Sequence, residues 1–239
     1  MKTNCSKPSK YFLLDTNVLV GFYIEEALSQ QAQSNIKSIL ESCRAGKHPD
    51  WFLLVPNIVI AEVFSTFAKW RFAKWNPHVK KVLPSGIGQR RYKNINCQFH
   101  NDIHNGHFFH QVELNRYHIL GVDLIAPIDH YFLYYKNPNS NKLPMQTSDM
   151  LILSIGINLN HQFGKERFSI LTSDRRMSVI CEKARAGIKP STVKKLGILK
   201  KAEELGFGYS PEIFPQVVNL AKKGGKQLKE VFGEWPLTI

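Results

Sequence analysis

Short apolar runs alternate along this chain with longer stretches in which apolar residues recur at helical spacing. The run Tyr11-Phe12-Leu13-Leu14 predicts a short buried strand that stops at Asp15. Thr16-Asn17 reads as irregular, and a helical stretch follows to about Cys43, broken by Gly46 and Pro49. Trp51-Phe52-Leu53-Leu54-Val55 is a second apolar run. Pro56 and Asn57 are start signals for a helix from Ile58 to Phe72, which places Glu62 in its first turns. Further on, Thr147-Ser148-Asp149 is expected to cap an apolar helix from Met150 to about Leu159. Phe168-Ser169-Ile170-Leu171 then predicts another strand, ending in Thr172-Ser173-Asp174 and leading into a helix from about Arg175 to Arg185.

Strands that alternate with helices predict an α/β fold, with a mostly parallel sheet covered on both faces. Two stretches depart from that pattern. Between 76 and 135 aromatics and histidines interleave with basic residues, and Pro77, Pro84, Gly86 and Gly88 punctuate the start; this reads as an inserted subdomain. Asn-Pro-Asn-Ser-Asn at 137–141 is a loop signal. From 188 to 239 a basic extension carries helical patches at 191–205 and 211–222. The core is therefore expected in 1–75 and 136–187.

A chain of 239 residues that is 43% hydrophobic can bury a substantial core. The excess of 32 Lys and Arg over 19 Asp and Glu, 32 − 19 = +13, favours a polyanionic partner such as nucleic acid. Cys5, Cys43, Cys97 and Cys181 lie far apart without a CxxC pair, so neither a disulfide framework nor a cysteine zinc cage is indicated, and a cytoplasmic setting fits. Lys2, Lys7 and Lys10 precede an apolar run, but Asp15 and Asn17 interrupt it, which is unlike a signal peptide. No segment approaches the roughly 20 apolar residues of a membrane span.

The candidate chemistry lies in four acids. Asp15 and Asp174 follow the carboxyl ends of predicted strands, where open α/β sheets place their ligands, and Glu62 and Asp149 sit near helix starts. Four carboxylates converging on one sheet edge would suit Mg2+ or Mn2+, which take hard oxygen ligands and are usually shared with substrate phosphates. Such ions activate water and stabilise a leaving oxygen, so hydrolysis of a nucleic-acid backbone is the natural reaction. Plainer roles exist: Asp149 as a helix cap and Asp174 as a turn residue. Glu62 follows Ile58, Val59, Ile60 and Ala61, and Asp15 follows Leu13 and Leu14; an unpaired carboxylate in either place would be costly to bury.

The segments LLDTNVLV around Asp15, VPNIVIAEVF around Glu62, TSDMLILSIGINL around Asp149 and FSILTSDRRM around Asp174 resemble, in order and character, those of the PIN-domain nucleases. The resemblance covers about half the chain, roughly 10–75 and 145–186. It implies a parallel-sheet α/β/α sandwich whose acids bind magnesium or manganese and, in many members, cleave single-stranded RNA to a 5′-phosphate and a 3′-hydroxyl. By position, Asp15, Glu62, Asp149 and Asp174 would be the metal-binding acids, Asn17 would orient the first, and Thr172 would supply a hydroxyl beside the fourth. Toxin members of the family pair with a protein inhibitor, an antitoxin-like partner that this sequence neither requires nor excludes. Glu62 and Asp149 stand farther apart than in compact members, which leaves the substrate open.

Outside the acids, Arg90-Arg91-Tyr92-Lys93 combines phosphate attraction with base stacking, and Arg175 and Arg176 directly follow Asp174, where they would clamp a phosphate. Lys194, Lys195, Lys200, Lys201, Lys222, Lys223, Lys226 and Lys229 extend the basic footprint. His100, His104, His107 and His110, one turn after Cys97, have spacing that would suit zinc on a helix, but Gly106 and the neighbouring asparagines argue against a regular helix there, and a solvated or RNA-contacting face is expected. The sequence thus predicts a metal-dependent ribonuclease. Its rivals are a catalytically silent RNA-binding protein with the same fold and an aspartate-nucleophile phosphatase. The second is disfavoured by Asn17, which stands where such enzymes commonly place another aspartate.

Overall fold

The computed structural model describes residues 8–72, 86–135, 143–222 and 225–237. The loop expected at 137–141, the Pro77 and Pro84 signals, Cys5 and Lys223 lie outside the described residues. Five strands, β1 (Lys10–Leu14), β2 (Trp51–Pro56), β3 (Phe109–Val112), β4 (Phe168–Thr172) and β5 (Gln216–Asn219), form one sheet in the order β3-β2-β1-β4-β5. Every neighbouring pair is parallel. In β1, Phe12, Leu13 and Leu14 are all buried, although successive side chains point to opposite faces, so the sheet is covered on both. The molecule is an α/β fold with an all-parallel sheet flanked by helices.

Ten α-helices are described. They are α1 (Thr16–Tyr23), α2 (Gln30–Arg44), α3 (Asn57–Phe72), α4 (Gln89–His104), α5 (Arg116–Tyr134), α6 (Thr147–Phe163), α7 (Arg175–Arg185), α8 (Pro190–Lys195), α9 (Ile198–Glu204) and α10 (Lys226–Phe232). Thr16 and Asn17, expected to be irregular, are the first turn of α1. The helical stretch expected up to Cys43 is split by a 3-10 turn at Glu25–Ala27, and Ser29 caps α2 through the Ala32 N–H. Gln146 is the N-cap of α6 and Asp149 is its third residue, so the aspartate faces the positive end of the helix without capping it.

The described part of 76–135 joins this sheet: β3 pairs with β2 from Leu53↔Phe109 to Pro56↔Val112. The basic C-terminal segment is built in at the other edge. Its second expected helical patch is instead a 3-10 turn at Pro211–Ile213 followed by β5, because Pro215 interrupts the helix pattern and Val217-Val218 favour an extended, buried edge. In α10, Phe232 packs on Phe12 and Trp51 with ring centroids 5.2 and 5.1 Å apart.

Helix α5 lies against α6 at a glycine. A Cβ on Gly121 would come within 2.1 Å of Ser154 Oγ, and that hydroxyl is fixed by donating to the His118 carbonyl at 2.6 Å. Gly121→Ala is therefore expected to destabilise the fold by about 1–3 kcal/mol despite the better helix propensity of alanine. Urea denaturation measures it. Adding Ser154→Ala should recover part of the loss, and a G121A protein as stable as the parent would refute the close approach.

Candidate functional site

The strand order fixes where a site can form. From β1 the chain moves outward through β2 and β3, then returns to the opposite side of β1 as β4, so the connections leaving β1 and β4 run to opposite sides. A crevice opens at such a point beyond the carboxyl ends of the strands. Asp15 follows β1 there, its N–H donating to the Leu171 carbonyl of β4 at 3.1 Å, and Thr172 and Asp174 end β4 beside it.

Each acid arrives on a different element. Asp15, Glu62 of α3, Asp149 of α6 and Asp174 at the start of α7 line one cleft of about 300 Å3, together with Asn17 and Lys69. Asp15 is 1% exposed, and although it is the N-cap residue of α1 its side chain does not cap the helix. Its Oδ2 instead accepts the Thr172 hydroxyl at 2.6 Å, and the same Thr172 oxygen accepts the Asp174 N–H at 2.8 Å. Thr172 thus orients the first acid, the task expected of Asn17; Asn17 is exposed in the cleft wall. Thr16 donates to Glu62 Oε2 at 2.5 Å, and Asp174 caps α7 by accepting the Arg176 N–H at 2.5 Å.

The electrostatics follow from this crowding. Burial pushes the Asp15 carboxyl up to about 7; the Thr172 hydrogen bond opposes the shift, and the charges of Asp149 and Asp174 add to it. Burial first, and then the charges of Asp174 and Glu62, push Asp149 up to about 6. Among the described residues, no cation is paired with either carboxylate. Of the described residues lining the cleft, Lys69 alone is cationic, and it stands exposed at the rim.

The donor set is of the kind Mg2+ and Mn2+ take, all carboxylate with adjacent hydroxyls. Among the described residues, no three His, Cys, Asp or Glu side chains are gathered tightly enough to cage an ion. The reason is visible in the hydrogen bonds: Asp15, Glu62 and Asp174 are each drawn to a local donor, while like charge separates them from one another. The residues fit a dication in chemistry, and holding one would draw the carboxylates closer together than they stand.

The basic residues predicted to hold RNA are divided. Arg175 is exposed beside Asp174, but the Arg176 guanidinium turns to Asp129, with Nη2 2.5 Å from Oδ1, and is not free to clamp a phosphate. Arg91 makes a two-pronged pair with Glu26 at 2.6 and 2.7 Å, and none of Arg90, Arg91 and Lys93, all on α4, lines the acid cleft. In the C-terminal zone Lys201 pairs with Asp123 and Lys222 with Glu182, both at 2.8 Å. The histidine run is cut where Gly106 predicted: α4 ends at His104, His107 follows the helix, and His110 lies in β3 against Phe52.

Three participants escaped the sequence reading. Lys69 follows Glu62 by seven residues on α3, two turns along the same face, which is a legible signal. Thr16 is adjacent to Asp15. Asp129 interrupts the apolar pattern Leu124, Ile125, Ile128 and is fully buried, so it demanded a partner. No protein-family model, curated protein or solved structure matches this chain.

Proposed function

We propose that this protein is a divalent-cation-dependent phosphodiester hydrolase. More particularly, it is a PIN-like endoribonuclease that takes single-stranded RNA. The observation that carries the reading is the convergence of four carboxylates from four elements on the cleft between β1 and β4, two of them with protonation pushed toward neutral pH by burial and by the neighbouring carboxylates. A purely architectural role explains Asp174, which caps α7, and partly explains Asp149, which sits in a helix's first turn. It does not explain a buried Asp15 that caps nothing.

A dication held by these acids would lower the pKa of an attacking water and stabilise the developing charge on phosphate. Asp15, Glu62, Asp149 and Asp174 would hold it. Thr172 fixes the Asp15 carboxylate in orientation, and Thr16 does the same for Glu62. Lys69 at the rim supplies a cation for the RNA backbone, and Arg175 supplies a second on the Asp174 side. The net charge of +13 favours the approach of a polyanion.

The deciding experiment incubates the purified protein with single-stranded RNA, with manganese or with excess chelator, beside Asp15→Asn and Asp149→Asn. Cleavage should require the metal and fall at least a hundredfold in each variant. RNA bound but never cut under any metal would favour the silent RNA-binding alternative. Cleavage that persists in chelator or in both variants would refute the acid mechanism.

A further inference from the structure

Beside the acid cleft lies a larger cavity, about 1180 Å3, between the end of α5 and the face of α7. Asp174 lines both, so the two share a wall. Its α5 side is aromatic, and Leu133, Val179, Ile180 and Ile188 add an aliphatic lining. Tyr131, Phe132 and Tyr135 come from the last turns of α5, with ring centroids 5.4 Å apart for Tyr131 and Phe132 and 4.6 Å for Tyr131 and Tyr135. Its rim is basic. Arg175, Lys183 and Lys189 line it, and Lys183 Nζ stands 5.4 Å from the centre of the Phe132 ring. All three cations are exposed, and none is in an ion pair among the described residues.

Aromatic rings, two half-buried and one exposed, beside cations that no carboxylate pairs among the described residues suit one ligand chemistry above others. Bases stack on aromatic faces whatever their sequence, while lysine and arginine follow the phosphates. The volume exceeds the ~300–1,000 Å3 of ordinary small-molecule pockets, which leaves room for more than one nucleotide. An acidic protein segment would satisfy the cations, but it would make less use of the paired rings. We infer that this α5–α7 cavity is a subsite for unpaired nucleotides of the RNA strand next to the phosphate held at the acid cleft. The inference rests on the hydrolase reading for the strand's path, and on the cavity's own rings and charges for its ligand.

The test separates the two. A fluorescein-labelled ten-nucleotide oligouridylate is titrated with the full chain in excess chelator, where no cleavage contributes, and anisotropy is followed across salt. Lys183→Ala with Lys189→Ala should weaken binding about tenfold and reduce the salt slope by roughly 1.4, two phosphate contacts on a single strand. Tyr131→Leu and Phe132→Leu should each weaken it roughly 5- to 150-fold, the range for loss of one stacked base. Lys183→Glu, a surface change that leaves the rings in place, keeps the test open where an aromatic variant fails to fold, and it too should weaken binding. A 4-thiouridine version of the probe should crosslink to the α5 segment bearing Tyr131. Binding in chelator that responds to these variants supports the subsite even if no cleavage is ever seen. Parental affinity and salt slope in the lysine variants, or crosslinks confined to other faces, would overturn it.

Discussion

Replacing Arg176 by alanine is expected to destabilise the fold by about 3–5 kcal/mol, the range for stripping one partner from a buried ion pair. Asp129 is 0% exposed; one of its oxygens takes the Arg176 guanidinium at 2.5 Å and the other takes the Met145 N–H at 2.9 Å. Without the arginine, a carboxylate remains in the interior with a single N–H donor among the described residues. The exposed Arg91–Glu26 pair has two such contacts rather than one, yet Arg91→Ala should cost no more than about 1 kcal/mol, because water and salt screen it. Chemical denaturation of the two variants side by side measures the contrast. Adding Asp129→Asn to Arg176→Ala should recover a large part of the loss, since the amide oxygen still accepts from Met145 without carrying charge. A loss below 1 kcal/mol in Arg176→Ala would show that the pair contributes little. The pair also joins α5, the segment entering α6 and the first turn of α7, and so holds the elements that carry Asp149 and Asp174 in register.

The strands from Tyr11, Trp51 and Phe168 were legible because each is a mainly apolar run, broken only by Ser169 in the third, the pattern of a strand buried on both faces. Two of the acids could be placed for the complementary reason: Asp15 and Asp174 follow the ends of such runs, at the carboxyl edge of the sheet. The edges of the sheet were not legible. In β3, Phe-His-Gln-Val has only its first residue buried, and Gln-Val-Val-Asn in β5 lies within a basic, helix-like stretch, so neither four-residue strand rises above its surroundings. Edge strands are recognised by the neighbour they pair with, and that neighbour is distant in sequence. The fate of Arg176 was hidden in the same way. Its adjacency to Asp174 suggested phosphate, whereas its actual partner is 47 residues upstream. That Thr172 rather than Asn17 holds Asp15 follows from register: Leu14 pairs with Leu171, which brings the residues that come next, Asp15 and Thr172, side by side.

Asp15→Asn is expected to stabilise the ion-free protein at pH 8 while abolishing its response to manganese. The Asp15 carboxyl, ordinarily near 3.8, is pushed up to about 7 by burial, so between those values the folded state binds a proton that the unfolded state has released. The sign is therefore opposite to that of a salt-bridged carboxylate: stability from this group is greatest below about pH 4, declines as pH rises to about 7, and is fully lost above. The difference of about 3 units corresponds to roughly 4 kcal/mol at most. Asparagine keeps an oxygen to accept the Thr172 hydroxyl and removes the charge, so the melting temperature of the variant should vary less between pH 5 and pH 8 and exceed that of the parent at pH 8. A dication between Asp15, Asp149 and Asp174 would supply the missing charge, and a ligand that binds only the folded state raises its stability by mass action. Millimolar manganese at pH 8 should therefore raise the parent's melting temperature by several degrees and leave Asp15→Asn unmoved. The same addition at pH 5, where Asp15 holds its proton, should act weakly on both. Equal manganese shifts in parent and variant would place the cation elsewhere, and parallel pH profiles would show that the buried carboxyl at the end of β1 carries no charge worth relieving.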